Sequence, residues 1–143
     1  LTWDPALAVV AQQWADALIE NDPPTGRHRK SEQLQQLGVG ENWYMVWSEG
    51  APPKVSAGNA VESWAKEEKW YKYEENTCAA GNECRHYTQL VWSSTQRLRA
   101  GRAVRTTKEG RTYVIWVCNY APPGNIKGER PYSPARPDTV AVR

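Results

Sequence analysis

The stretch with the most chemistry in this chain is residues 84–92, CRHYTQLVW, which hold a cysteine, one of only two histidines and three large apolar side chains. The pattern predicts a short buried helix, roughly from His86 to Ser94. An imidazole, a hydroxyl and an amide at the start of such a helix are costly to bury without partners. We therefore expect a site here, completed by side chains from elsewhere in the chain, by water or by a ligand.

The cysteines give a first constraint on how this stretch is held. There are three, so they cannot all pair within one chain. Cys78 and Cys84 flank a flexible spacer, AAGNE, that can close a small loop, whereas Cys118 lies in an apolar segment. We predict a disulfide between Cys78 and Cys84 and a buried thiol at Cys118. Three reduced cysteines in a cytosolic protein are the alternative.

Composition suits one globular domain and sets some partners aside. The 143 residues carry a net charge of +2 with 24% charged side chains and no block of like charge, so a nucleic acid is not an expected partner. No apolar run is long enough to cross a membrane, and the first residues, LTWDP, do not form a hydrophobic signal segment. If the protein is exported, we expect its signal to lie outside this sequence.

The first third of the chain predicts one helix and one surface loop. Asp4 is a good N-cap, Pro5 suits the first helical position, and apolar residues then recur at three- and four-residue steps until NDPP at 21–24. Residues 25–40 are polar and basic and predict a loop with one helical turn. His28 lies in this loop.

A second helix is predicted from about Ser56 to Tyr73. Its apolar stripe includes Trp64. Glu67 and Glu68 follow that residue by three and four positions, so both fall near the same face. Periodicity leaves open which carboxylate faces the interior.

Two strands are predicted near the end of the chain. Residues 100–106 and 111–120 are joined around KEG at 108–110. The second segment has β-branched or aromatic residues on both faces, which indicates a central strand covered on both sides. Helices before a short run of strands predict an α+β fold, with helices on both sides of a small antiparallel sheet.

Several of these segments resemble the motifs of one family. Residues 84–92, CRHYTQLVW, look like the first signature of the CAP superfamily, which comprises cysteine-rich secretory proteins, antigen 5 and pathogenesis-related 1 proteins. Residues 117–125, VCNYAPPGN, resemble its second signature. GEN at 40–42, the helix from Trp64 to Tyr71 and the opening LTWD follow in the family's order. We expect a CAP domain over residues 1–132 and an irregular tail over 133–143.

The resemblance implies a three-layer α-β-α sandwich, an extracellular location and a central cavity lined by two histidines and two glutamates. By position, His86 lies on the first signature and Glu41 in GEN. The family places its helix glutamate three residues after a Trp and four before a Tyr, which corresponds to Glu67. His28 is the only other histidine and takes the fourth place.

Two imidazoles and two carboxylates in one cavity can hold a divalent metal or move protons near neutral pH. Zinc is the metal we expect first, bound through histidine nitrogens, with magnesium or calcium as alternatives. We also expect three further side chains to line the cavity, namely Tyr71, Tyr87 and Gln89.

Simpler interpretations of the same four residues stay open. His86 can be bonded to a carboxylate with no ligand, and Glu67 can be a half-buried acid held by a tyrosine hydroxyl. His28 can be a solvated loop residue among basic neighbours. Glu41 can serve to tie down backbone N–H groups near its own turn.

The chain departs from the family pattern in three places. Arg85 stands where the family usually has Gly, so a long cation is expected at the cavity rim, facing Glu83 or a bound anion. Cys118 has no cysteine partner in the neighbouring strand. The chain begins where the family already has a first helix, so the sequence is trimmed or that helix is absent, and the inner face of the helix at residues 7–18 is then expected to be partly uncovered.

Three functions follow from the resemblance. The first is a secreted, non-enzymatic protein that binds a sterol, a fatty acid, a membrane lipid or a partner protein. The second is a metal-dependent hydrolase that uses His86 and Glu67, although the chain has no HExxH helix. The third is the precursor of a signalling peptide at residues 122–132, although this chain continues to residue 143.

Overall fold

The computed structural model describes residues 2–134. The elements, in chain order, are β1 (Thr2–Trp3), α1 (Pro5–Ile19), α2 (Ser31–Leu37), β2 (Gly40–Glu49), α3 (Ala57–Ala65), a 3₁₀ turn (Lys66–Trp70), β3 (Tyr71–Lys72), β4 (Thr77–Cys78), α4 (Arg85–Leu90), β5 (Arg97–Thr106) and β6 (Arg111–Ala121). No helix among these residues is long and apolar enough to cross a membrane.

Strand β6 is central in the main sheet. The order of the strands is β1-β5-β6-β2, so β6 is hydrogen-bonded along both edges. Gly110 has a φ of 85° and makes the tight turn between β5 and β6, where the sequence predicts one. Strand β1 pairs with β5 in parallel, so the sheet is not purely antiparallel as expected.

The two faces of β6 support different layers, because successive side chains of a strand point to opposite sides. Ile115 and Val117 pack with α1, whereas Cys118 and Tyr120 pack with Trp64 of α3. Both faces are therefore covered. This confirms the prediction of a buried central strand and of an α+β sandwich with helices on both sides of the sheet.

Helix α1 approaches the sheet closely. The Asp4 side chain caps its first turn, as predicted. Ala11 and Ala15 are fully buried on its inner face. A Cβ at Gly101 of β5 would lie 2.5 Å from the backbone carbon of Ala11, so only glycine leaves room for the helix. The expectation that the inner face of residues 7–18 is partly uncovered is wrong, because the sheet covers it.

The predicted surface loop contains more helix than expected. The polar sequence at residues 25–40 indicates one helical turn, but α2 extends over seven residues. Gly38 ends it with a φ of 63°, in the left-handed region that favours glycine. None of its residues is buried, so there is no strong apolar periodicity from which to predict it.

The second predicted helix is shorter than its sequence pattern suggests. It ends at Ala65, and the 3₁₀ turn replaces the last turns that were expected up to Tyr73. The carboxylate of Glu67 in this turn accepts hydrogen bonds from the backbone N–H groups of His86 and Tyr87 in α4. Helix α4 itself ends at Leu90, four residues before the predicted end at Ser94.

The cysteines have the predicted states. Cys78 and Cys84 form a disulfide that joins β4 to the start of α4. Cys118 is a free, buried thiol. Burial raises the pKa of the Cys118 thiol to about 12, against a smaller opposing effect of its hydrogen bond with Tyr120.

After β6 the chain has no further helix or strand up to residue 134, yet it stays attached to the domain. The backbone N–H of Ser93 donates to the Pro131 carbonyl at 2.7 Å, and Pro131 is fully buried. The chain after β6 is therefore packed on the domain as far as Pro131, and the predicted boundary at residue 132 stays a prediction. Beyond residue 134 the predicted tail lies outside the described residues.

Replacing Gly101 with alanine tests the close approach of α1. Because the new methyl group would meet the backbone of Ala11 and Gln12, we expect Gly101→Ala to lower the free energy of unfolding by about 1–3 kcal/mol in urea denaturation. Gly58→Ala in α3 is the matched control, since its nearest atom is Ser56 Oγ at 3.3 Å, and we expect a change below about 1 kcal/mol. Equal losses would contradict this packing.

The raised pKa of Cys118 predicts an inert thiol. Since the thiolate is the reactive form, native protein at pH 8 should react with iodoacetamide far more slowly than protein unfolded in urea with its disulfide intact. Mass spectrometry over time measures both rates. Labelling of the native protein at the rate of the unfolded protein would show that the thiol is accessible.

Candidate functional site

A cleft of about 450 Å³ opens beside the start of α4. Residues 28–34, the first residues of β2 and the turn at residues 124–125 form its other walls. The side chains of His28, Glu41 and His86 line it, and Glu67 lies behind His86. The structure therefore brings the four predicted residues into one neighbourhood.

His86 is held by one carboxylate from the 3₁₀ turn. Its Nδ1 lies 2.7 Å from Oε1 of Glu67, while Oε2 of Glu67 accepts the backbone N–H groups of His86 and Tyr87, each at 3.1 Å. The indole of Trp64 stacks on the imidazole at a centroid distance of 6.2 Å. Glu67 thus satisfies orphan N–H groups at the start of α4 and orients the histidine at the same time.

His28 is held by a second carboxylate from β2. Its Nδ1 lies 3.1 Å from Oε1 of Glu41, and the same oxygen accepts the backbone N–H of Arg29 at 3.1 Å. The guanidinium of Arg29 donates to Oε2 of Glu41 at 2.7 Å. The Glu41 side chain is 0% exposed and that of Arg29 is 7% exposed, so this is a buried ion pair.

The buried pair is completed by two further elements. Arg29 donates to the side chain of Asn119 at 3.4 Å and to the Val10 carbonyl of α1. The amide of Asn119 also donates to the Gly40 carbonyl at 3.1 Å. The cluster therefore connects α1, the loop before α2, β2 and β6.

The two imidazoles face the cleft in a similar way. Their ring centroids lie 6.5 Å apart, at an interplanar angle of 31°. A carboxylate can only accept, so Nδ1 of each ring carries the proton in the neutral tautomer and Nε2 keeps a free lone pair. Nε2 of neither ring has a hydrogen-bond partner within residues 2–134. Two nitrogen donors are thus available to a ligand.

The glutamates play a different part from the histidines. Every oxygen of Glu41 and Glu67 already accepts hydrogen bonds from protein groups. Within the described part of the chain, no group of three or more His, Cys, Asp or Glu side chains could hold a metal ion. The four residues predicted as metal ligands are therefore two imidazoles whose Nε2 atoms have no protein partner in residues 2–134 and two carboxylates whose oxygens are all engaged by protein donors.

The predicted cavity-lining residues are separated by the structure. Gln89 lines the cleft, and its Oε1 accepts the backbone N–H of Gly124 at 3.0 Å. Tyr71 lies in the wall of a second cavity instead. Tyr87 lines neither cavity, because its hydroxyl is directed to Glu68 at 3.4 Å and Tyr132 at 3.2 Å.

The sequence interpretation missed three side chains of the site. Arg29 was seen only as part of a basic run, and Asn119 only as part of a motif. Asn42 donates to the His86 carbonyl at 3.1 Å and to the Tyr120 hydroxyl at 3.3 Å, which joins β2 to α4. Asn42 could have been found from the sequence, because it is a polar residue between Glu41 and the apolar run of β2.

A second cavity of about 360 Å³ lies on the other side of residues 83–85. The disulfide, Trp92, Ile126 and Pro131 give it apolar walls, and Tyr71 contributes a ring. Burial raises the pKa of Tyr71, with a further contribution from Tyr132. The hydroxyl of Tyr71 in the wall of the cavity is therefore protonated at neutral pH.

The segment at residues 122–132 is bound to the rest of the domain along its length. The Thr88 hydroxyl donates to the Asn125 side chain at 2.6 Å, and Asn76 donates to the Glu129 carbonyl at 2.9 Å. The Tyr73 hydroxyl donates to the Tyr132 carbonyl at 2.9 Å. Cleavage at its ends would leave this segment still held by hydrogen bonds.

Comparison with known proteins assigns the chain to the family that its motifs and its sandwich fold predict. Residues 1–120 match CAP, the cysteine-rich secretory protein family. Pathogenesis-related protein 1A of Nicotiana tabacum is 39% identical over 132 residues, which cover 92% of this chain and 69% of that protein. The chain belongs to the CAP family.

Two solved structures extend the comparison. BmVAL-1 superposes with a TM-score of 0.74 at 30% identity, covering 93% of this chain and 64% of that one. The crystal structure of NaASP2 with Zn²⁺ gives a TM-score of 0.63 at 26% identity, covering 93% of this chain and 65% of that one. The present chain spans less than two thirds of either structure.

The buried ion pair predicts a strong energetic coupling. Arg29→Ala leaves the Glu41 carboxylate buried without its cation, so we expect it to lower the free energy of unfolding by about 3–5 kcal/mol. Glu41→Ala should have a similar effect on the stranded guanidinium. Urea denaturation of both single variants and of the double variant measures the coupling.

The double variant is the informative one. Removing both charges avoids an unpaired buried ion, so we expect it to cost less than the sum of the single changes. Additive losses would mean that Arg29 and Glu41 do not act as a pair.

Proposed function

We propose that this CAP protein is a secreted, non-enzymatic binding protein whose cleft binds a divalent metal between His28 and His86. The observation that supports this most is that Nδ1 of each histidine is engaged by a carboxylate, which leaves both Nε2 atoms free toward the cleft. Metal-binding histidines usually have such a carboxylate behind them, since it fixes the tautomer and raises the basicity of the ligand nitrogen.

The donor set favours zinc over the other metals. Imidazole nitrogen is a preferred zinc ligand, whereas magnesium and calcium prefer oxygen. The carboxylate oxygens nearby are already engaged by protein donors. A metal held by two nitrogens keeps open positions for water or a ligand, and zinc accompanies the related NaASP2 in its crystal structure.

A hydrolase is supported less well by the same geometry. A general base needs a free lone pair directed at water or substrate. Glu67 uses one oxygen for the His86 ring and the other for two backbone N–H groups, and Glu41 is buried beneath Arg29. Both carboxylates are thus placed to orient histidines, and we propose no catalytic residue.

Extracellular location belongs to the same proposal. A disulfide persists in an oxidising compartment, and the Cys78–Cys84 bridge pins the start of α4, where His86 lies. Its loss in a reducing compartment would loosen the helix that presents the histidine.

Zinc titration by calorimetry tests the metal site. The chain has only two histidines, so His28→Ala and His86→Ala should each remove most of the zinc binding. Glu67→Gln should weaken zinc binding by about 10–100-fold, because the neutral amide supports the ligand nitrogen less well. Glu68→Gln is the matched control, since this neighbouring carboxylate contacts Tyr87 and not His86. Zinc binding that survives both histidine changes would contradict the proposal.

Binding of a sterol or fatty acid is a second candidate function. The second cavity favours it, because its wall combines Trp92, Ile126 and Pro131 with the disulfide, and about 360 Å³ is within the usual range of ligand pockets. Retention of a labelled sterol or fatty acid that is lost in Ile126→Asp would support it. A membrane lipid or a protein partner remains an expectation from the family.

Release of residues 122–132 as a signalling peptide has less structural support. Side chains of α4 and of the segment after the 3₁₀ turn hold this segment by several hydrogen bonds. A cleaved peptide would therefore leave only on local unfolding. Mass spectrometry of the secreted protein would show whether such a cleavage occurs.

A further inference from the structure

Arg85 presents a cation at the mouth of the cleft. It is the first residue of α4, adjacent to His86, and its side chain is 83% exposed. It lines the cleft of the two histidines as well as the second cavity.

The Arg85 side chain is held only loosely by the protein. Its Nε lies 3.4 Å from Oε1 of Glu83, at the outer limit of a hydrogen bond. The two terminal amino groups have no partner within residues 2–134. The same oxygen, Oε1 of Glu83, accepts shorter hydrogen bonds from the backbone N–H groups of Cys84 and Arg85, at 3.0 and 2.8 Å. The planar donor fork of Arg85 is thus free for a ligand.

The charges around the cleft indicate the sign of that ligand. Arg29 and Arg85 balance Glu41 and Glu83, and Glu67 adds one negative charge behind the histidines. A divalent cation at the histidines therefore leaves the cleft with one surplus positive charge. A monoanion neutralises it, whereas a neutral ligand does not.

We propose that the metal-loaded cleft binds a small molecule through a carboxylate group, which Arg85 holds at the rim beside the metal. This inference rests on the metal site proposed above. A guanidinium matches a carboxylate with two parallel hydrogen bonds, and Arg is suited to such a planar acceptor in a way that Lys is not. The open positions of a metal with two protein ligands place a second cationic centre next to the same anion.

Binding of a carboxylate probe to zinc-loaded protein tests the proposal. N-acetylglycine is the probe and N-acetylglycinamide its neutral counterpart, both titrated by calorimetry and by backbone NMR shifts. We expect binding of the acid only, with shifts at residues 83–86. Arg85→Gln should weaken it about tenfold, as expected for the loss of a charge-assisted hydrogen bond, while zinc affinity stays unchanged.

Three variants sharpen the test. Arg85→Lys keeps the charge without the fork and should bind between wild type and Arg85→Gln. Glu83→Gln removes the competing carboxylate and should strengthen binding. Arg102→Gln is the matched control, since this exposed arginine lies over Trp116 on the sheet, away from the cleft.

The outcomes separate the two proposals. Zinc binding at the histidines with no preference for the acid over the amide, or with unchanged acid binding in Arg85→Gln, would overturn the carboxylate site alone. Equal acid binding without zinc would also overturn it. A wild-type protein that does not bind zinc would overturn both.

Discussion

The buried carboxylate of Glu41 is the constraint on which the site depends. A charge with no exposed surface must be neutralised and fully hydrogen-bonded, and Arg29 supplies both its guanidinium and its backbone N–H. The same arginine reaches α1 and β6, so one ion pair holds four segments together. His28 lies at the exposed edge of this cluster, with its Nδ1 3.1 Å from Oε1 of Glu41. The position of its ring is therefore set by Glu41, whose side chain is fully buried.

The second histidine is positioned by a separate but similar device. Glu67 satisfies the first N–H groups of α4 and orients His86, while the disulfide fixes the residue before that helix. Each imidazole is thus anchored through Nδ1 by a carboxylate from a different layer of the sandwich. The two histidines meet at the cleft with both carboxylates already engaged by protein hydrogen bonds.

Much of the fold could be predicted from local patterns. The cap at Asp4, the turn at Gly110 and the two-sided apolar run of β6 are each local signals, and each prediction is correct. The errors fall where distant contacts override such signals. The predicted helix gives way to a 3₁₀ turn where Glu67 accepts hydrogen bonds from α4. Helix α2 is a different case, because none of its residues is buried and no apolar periodicity predicts it.

By itself, the sequence predicted the α+β class from its pattern of helices and strands, and it predicted the cysteine states from spacing and apolar context. The four polar residues of the cleft came from the resemblance of the motifs to the CAP family. Only the tertiary structure decided their roles. The carboxylate oxygens of Glu41 and Glu67 accept hydrogen bonds from donors that lie 12 to 20 residues away in the sequence. No local pattern therefore shows that both glutamates are already engaged. It also placed Tyr71 in a second cavity, buried Arg29, which sequence treated as surface, and left Arg85 exposed beside His86.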